Sequence, residues 1–176
     1  MTAIGLIINN GGGSLKIRKI LTGKDAAQCL NIYNYYIENS TATFEETPLS
    51  ETEFLQRVQK ISSSYPYLVA EENGIIVGYA YISEYNSRSA YRFTADLSIY
   101  ILKDYRGREA GSLLLSEIEK TAGEMGIKTL ISIITEENNQ SLEFNKKHGF
   151  ECCGKLKNVG YKFNRWLGVY FYSKSI

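Results

Sequence analysis

The residues most able to do chemistry lie between Asp96 and Ser112, in the stretch DLSIYILKDYRGREAGS. A strand-like run through Leu102 is followed by a loop, Lys103 to Glu109, and then by a helical pattern opening near Ala110. A strand that delivers a turn bearing glycine and arginine into a helix N-terminus suits phosphate oxygens, because the first helical amides lack partners and the helix end is positive. Arg106 and Arg108 add charge to that turn, and Gly107 and Gly111 keep it slim. Gly11 to Gly13 is a poorer candidate, since no Lys-Ser/Thr and no helix opening follow it. His148 is the one histidine, which excludes any site that needs two, and its place beside Gly149 suits a cation at a helix end. Cys29, Cys152 and Cys153 have neither a disulfide-framework pattern nor a metal-ligand spacing, so no metal is expected.

These residues need a scaffold, and the chain punctuates one. Leu15 to Leu21 alternates as a strand. Ala26, Leu30, Tyr33 and Ile37 then fall on one helical face, with Asp25 near the start. A second helix from about Ser50 turns Phe54, Val58 and Ile61 inward. Tyr67 to Glu72 and Ile75 to Ile82 form a hairpin across Asn73-Gly74, a pair that accepts positive φ at both positions. In Thr94 to Leu102, Leu97, Ile99 and Ile101 face one way while Asp96, Ser98 and Tyr100 face the other. Leu114, Ile118, Ala122 and Met125 stripe the next helix, which Gly126 ends. A strand at Thr129 to Ile134 follows. Asn138 or Asn139 caps a short helix reaching His148, and two strands flank a turn at Asn164. The order β-α-α-β-β-β-α-β-α-β-β predicts one α/β domain with a mixed sheet.

Composition narrows the function classes. Of 176 residues, 44% are hydrophobic and 22% charged, with a net charge of +1, an ordinary globular balance without the basic field that draws nucleic acid or anionic membrane. No apolar run approaches the roughly 18 residues of a membrane span. MTAIGLIINNGGGS lacks a basic residue before its apolar stretch, so it is a poor secretory leader and a cytoplasmic location is expected. Residues 1–14 read as a flexible lead-in to a domain at 15–176.

YRGREAGSLLL resembles motif A of the GNAT N-acetyltransferases, R/Q-x-x-G-x-G/A, and NNQSLEFNKKHGF resembles their motif B. IYNYYIENSTATFEETPLS, YPYLVAEENGIIVGYAY and SRSAYRFTADLSIYI are similar to the phosphinothricin and methionine sulfoximine acetyltransferase branch. The resemblance spans about Leu15 to Tyr172. It implies a single-domain α/β GNAT fold, with a mixed, mostly antiparallel sheet of about seven strands and about four helices. It implies acetyl-CoA as co-substrate and a small amine acceptor resembling an amino acid. Ile99, Tyr100 and Ile101 would offer strand backbone to the pantetheine arm; Arg106, Gly107, Arg108, Glu109, Ala110, Gly111 and Ser112 would wrap the pyrophosphate; Asn138 would touch the cofactor. Asp96 falls where the branch carries a catalytic glutamate, Arg88 on an arginine associated with the acceptor carboxylate, and Tyr91 and Phe44 in the acceptor pocket. Dimers are frequent in this branch, so a homodimer is expected.

The chemistry suits these residue types. An ammonium must lose a proton before it attacks a thioester, and a carboxylate in apolar surroundings can act as base near neutral pH. A strand N–H near Tyr100 can hold the oxyanion. Asp96 can alternatively pair with Arg92, and Asp is a methylene shorter than Glu, which favours a water relay. Two departures stand out. Glu109 replaces the first motif A glycine, which predicts weakened acetyl-CoA binding. Phe163 and Leu167 replace histidines of the phosphinothricin enzymes, and Asn145 replaces a tyrosine acid of many GNATs, so the acceptor pocket is altered. A peptide N-terminus or polyamine as acceptor, and a non-catalytic ligand-binding module, stay open as alternatives.

Overall fold

The computed structural model describes residues 6–10 and 13–176. The first helix, α1 (Thr22–Asn39), buries Ala26, Leu30, Tyr33 and Ile37, the face its spacing predicts. Its N-terminal residue Leu21 provides no side-chain cap; instead the Asp25 carboxylate accepts from the Leu21 amide at 2.7 Å and from Arg18 at 2.6 and 3.0 Å. The next helix, α2 (Glu51–Ser62), opens on a capping box between Ser50 and Glu53, an arrangement worth about 1 kcal/mol.

The strands are β1 (Leu6–Asn10), β2 (Gly13–Lys19), β3 (Tyr67–Glu72), β4 (Ile75–Glu84), β5 (Thr94–Ile101), β6 (Thr129–Thr135), β7 (Glu151–Lys162) and β8 (Arg165–Ser175). They form one sheet in the order β1-β2-β3-β4-β5-β6-β8-β7. Every neighbouring pair is antiparallel except β5–β6. This is the mixed, mostly antiparallel sheet that was expected, with an additional strand at its start. Within the span 1–14 expected as a flexible lead-in, residues 6–10 form β1, which pairs with β2 from Leu6↔Ile17 to Asn10↔Gly13. Residues 1–5 and 11–12 lie outside the described residues.

Two helices, α3 (Ala110–Glu124) and α4 (Asn139–Lys147), complete the described helical set. Leu114, Leu115, Ile118 and Ala122 of α3 share a core with Leu68, Ala70, Val77, Ala80, Ala95 and Leu97. Full burial of each large aliphatic contributes roughly 1.5–3 kcal/mol. Met125, expected in this stripe, is 49% exposed because it is the C-terminal cap, past the last turn that faces the sheet. On the other face α1 and α2 cover Tyr67, Val69, Ile76 and Tyr79. Tyr67, Tyr79, Tyr81 and Tyr100 stack there at centroid distances of 5.0–6.4 Å. The β3–β4 hairpin turns on Asn73 and Gly74 at φ 51° and 82°, as the dipeptide requires.

Candidate active site

β5 and β6 pair at only three positions, Thr94↔Thr129, Ala95↔Leu130 and Asp96↔Ile131. Beyond Asp96 they part. β5 stays with β4 as far as Ile101, and β6 stays with β8 as far as Thr135. Each strand is therefore held on its outer side while the inner edges separate, and a cavity of about 700 Å³ opens between Leu97–Ile101 and Ser132–Thr135. The Leu102 amide donates to Val77 O. Backbone groups alternate along a strand, so those of Tyr100 point toward β4 and those of Ile99 and Ile101 toward the cleft. The Tyr36 hydroxyl donates to Ile101 O at 2.7 Å and accepts from Arg106 Nε at 3.2 Å.

The far end of the cleft is the start of α3. Gly107 has φ 75°, the left-handed conformation that aims the turn, and the first amides of α3 have no partner four residues back. Arg106, Gly107, Arg108, Gly111 and Ser112 line the cavity, as do Ile99, Tyr100, Ile101 and Asn138. A Cβ on Gly111 would lie 3.3 Å from the Phe144 ring, so a larger residue would crowd this wall. Asn138 also caps α4, its Oδ1 accepting from the Ser141 amide at 3.2 Å.

Glu109 and Ala110 do not line the cavity. Ala110 is buried in the α3 core. Glu109 is exposed and takes φ −70°, ψ −16°, an ordinary right-handed backbone. The conformational reason for glycine at position 109 is therefore absent. His148 is not a free helix-end cation: burial first, then Lys147 and Lys174, lower its pKa, and Nε2 lies 3.1 Å from Ser112 Oγ.

Asp96 stands at the apex where the strands part. Its Oδ1 is fully buried with no hydrogen-bond partner, and burial pushes the carboxyl up to about 6. Arg92 does not pair with it; that guanidinium donates to Ser89 O and sits 4.1 Å from the centre of the Phe93 ring. Arg88 is exposed before a short turn, Ser89–Tyr91, and Tyr91 packs on Tyr85 at 5.5 Å. Phe44 lies over Gly160, so closely that a Cβ there would overlap its ring. None of Asp96, Arg88, Tyr91 and Phe44 lines the main cavity, whose walls also include Ser40, Thr41, Ala42, Phe163 and Arg165. The cavity also holds Asn145, 5% exposed, whose Oδ1 has no partner while its Nδ2 donates to Ser141 O. Among the described residues no cluster of His, Cys, Asp and Glu could hold a metal, and no helix is long and apolar enough to cross a membrane.

Residues 18–169 match the acetyltransferase (GNAT) domain family. The chain belongs to the GNAT acetyltransferases, and it is an acyltransferase. It is 38% identical to the phosphinothricin N-acetyltransferase of Alcaligenes faecalis over 85% of this chain and 77% of that one. It is 32% identical to the L-methionine sulfoximine/L-methionine sulfone acetyltransferase of Pseudomonas paraeruginosa over 84% of this chain and 87% of the relative. Among solved structures, the GNAT superfamily phosphinothricin acetyltransferase of Sinorhizobium meliloti, in complex with AcCoA, superposes with a TM-score of 0.87 at 35% identity, covering 92% of this chain and 88% of that one.

Proposed function

We propose that this enzyme moves the acetyl group of acetyl-CoA to the amino group of a small acceptor resembling an amino acid, with Asp96 as the base. The observation that carries this reading is the half-buried Asp96, whose Oδ1 is buried without a partner, at the apex of the parted β5–β6 pair. The α3 turn with Arg106 and Arg108 would take the pyrophosphate, and the inner edges of Ile99 and Ile101 would pair with pantetheine as an added strand does. Leu97, Ile99 and Ile101 face the α3 side, while Asp96 faces the α1–α2 side. Donor and amine would thus meet at the apex from opposite faces of the sheet.

Asp96, through a water relay given its short side chain, takes the proton of the acceptor ammonium. The freed nitrogen attacks the thioester carbon, and an inner-edge strand amide holds the oxyanion. The C–S bond then breaks, the nitrogen sheds its second proton, and the thiolate, with a parent pKa near 8.5, leaves with little need of an acid and takes up that proton directly or through solvent. Arg88 and Tyr91, on the loop before β5, would draw in the acceptor carboxylate.

The test is thermal unfolding with acetyl-CoA against plain pantetheine. Ligand at 100 times its Kd stabilises by about 2.7 kcal/mol, so acetyl-CoA alone should raise Tm by several degrees. No shift with millimolar acetyl-CoA would remove the reading. The same reading includes a cytoplasmic location and a homodimer; the outermost strand β7, where Leu156, Val159 and Tyr161 are about half exposed, supports the dimer. Sedimentation that gave only monomer would remove that part.

A further inference from the structure

Lys162 is 2% exposed at the end of β7, yet its ammonium has no ion-pair carboxylate among the described residues. Nζ instead donates to Ser40 O at 2.9 Å and Thr43 O at 2.8 Å, and lies 4.9 Å from the centre of the Phe163 ring. Ser40 is the C-terminal cap of α1, and the last turn of that helix contains no basic residue. Its outward carbonyls and negative dipole end need a donor and a cation, and β7 supplies both from 122 residues away. Burial lowers the pKa of Lys162, against the opposing pull of Glu46 and Glu45. A methionine would fill the same space without that desolvation, so the charge is retained for what it holds.

What it holds is a strap across the cleft. On the β5 side, Tyr36 bonds Ile101 O. On the β6 side, the Thr135 hydroxyl donates to Thr41 O at 2.9 Å and meets the Thr41 hydroxyl at 3.2 Å. Lys162 then secures the end of the same segment to β7. Ser40, Thr41 and Ala42, in the connection between α1 and α2, line the cavity.

We propose that Lys162 is a positioning residue for acyl transfer, which clamps the Ser40–Thr43 segment as the acceptor-side wall of the cleft. This rests on the acetyl-transfer reading above. It differs from a purely structural role in where a loss should register, because Lys162 bonds Ser40 O and Thr43 O and no group of the proposed pyrophosphate turn.

The experiment compares the full-length protein with Lys162→Met, Lys162→Arg and Thr135→Val. Acetyl-CoA affinity is read by calorimetry, acceptor kinetics by thiol release, and segment 40–44 by hydrogen exchange. Lys162→Met should lower acceptor kcat/KM by about tenfold or more, mainly through KM, while acetyl-CoA Kd stays within about twofold. Exchange should rise at 40–44, Lys162→Arg should recover part of the loss, and Thr135→Val, which keeps the lysine, should move acceptor KM in the same direction. Unchanged acceptor kcat/KM in Lys162→Met would overturn the proposal. So would equal losses of acceptor and acetyl-CoA binding. If Lys162→Met does not fold, an unchanged acceptor KM in Thr135→Val overturns it. A wild type that transfers to no amine contradicts the function itself; unchanged exchange at 40–44 in Lys162→Met then overturns the clamp, and increased exchange supports it.

Discussion

Replacing Asp96 by Asn should make the protein more stable and a poorer catalyst. Burial lifts the carboxyl from an ordinary 3.8 to about 6, with no bond to Oδ1 to offset the desolvation. A shift of that size corresponds to at most about 3 kcal/mol, and solvent screening of a partly exposed group reduces it to about 1–2 kcal/mol. Because the folded-state value lies above the unfolded one, ionised Asp96 opposes folding. The penalty is complete above about pH 6 and fades as pH falls toward 4, where the carboxyl is protonated in both states. Asp96→Asn should therefore raise Tm by about 3–6 °C at pH 8, with a gain that shrinks on acidification. The same variant should lose about 10²–10⁴-fold in kcat/KM, and the limb rising through pH 6 in the wild type should disappear. Calorimetric melts from pH 4 to 8, alongside thiol-release kinetics, measure both effects. An Asn variant with unchanged Tm at pH 8 and wild-type kcat/KM across pH would refute the reasoning.

Other perturbations follow from the same geometry. Glu109→Gln removes an exposed charge near the proposed pyrophosphate turn and should tighten acetyl-CoA binding about two- to fivefold at low salt, less in high salt; calorimetry at two ionic strengths checks it. Gly78→Ala would put a Cβ 2.6 Å from Ile101 Cδ1 and 3.0 Å from Tyr100 O, so it should cost about 1–3 kcal/mol in urea unfolding and weaken acetyl-CoA binding by displacing β5. Asp25→Asn should lower stability by about 3 kcal/mol, because it breaks the buried pair with Arg18. Burial opposes ionisation of Asp25, but the bonds from Arg18 and the Leu21 amide outweigh it and hold the pKa below the ordinary value. That contribution is present above the unfolded pKa and lost as pH falls through the lowered one, so wild type and variant should converge in acid melts.

Local order was legible where the chain carries its own instructions. The Asn73-Gly74 hairpin, the Ser50 cap and the buried face of α1 follow from dipeptide chemistry and periodicity. The turn before α3 was legible too, since Gly107 and the two arginines sit between a strand and a helix start, as the spacing predicts. What was hidden depends on pairing between distant segments. Nothing near Asp96 announces that β5 and β6 stop pairing there, because the splay is set by β4 and β8 on the outer sides. Nothing in the sequence around Lys162 singles it out, and its contact with the end of α1 is visible only in the fold. Its signal, in hindsight, is a helix without a basic last turn. Tyr36 and Thr135 were missed for the same reason, as their partners lie 65 and 94 residues away. Glu109 has an ordinary right-handed backbone, and the positive φ of this turn falls on Gly107.

The most direct test of the central claim is to incubate the protein with acetyl-CoA and a panel of free amino acids, dipeptides and polyamines, and to identify the products by mass spectrometry. The account predicts N-acetylated free amino acids or close analogues, formed in step with thiol release. Acetylation confined to peptides or polyamines, or thiol release with no acetylated amine, would contradict it.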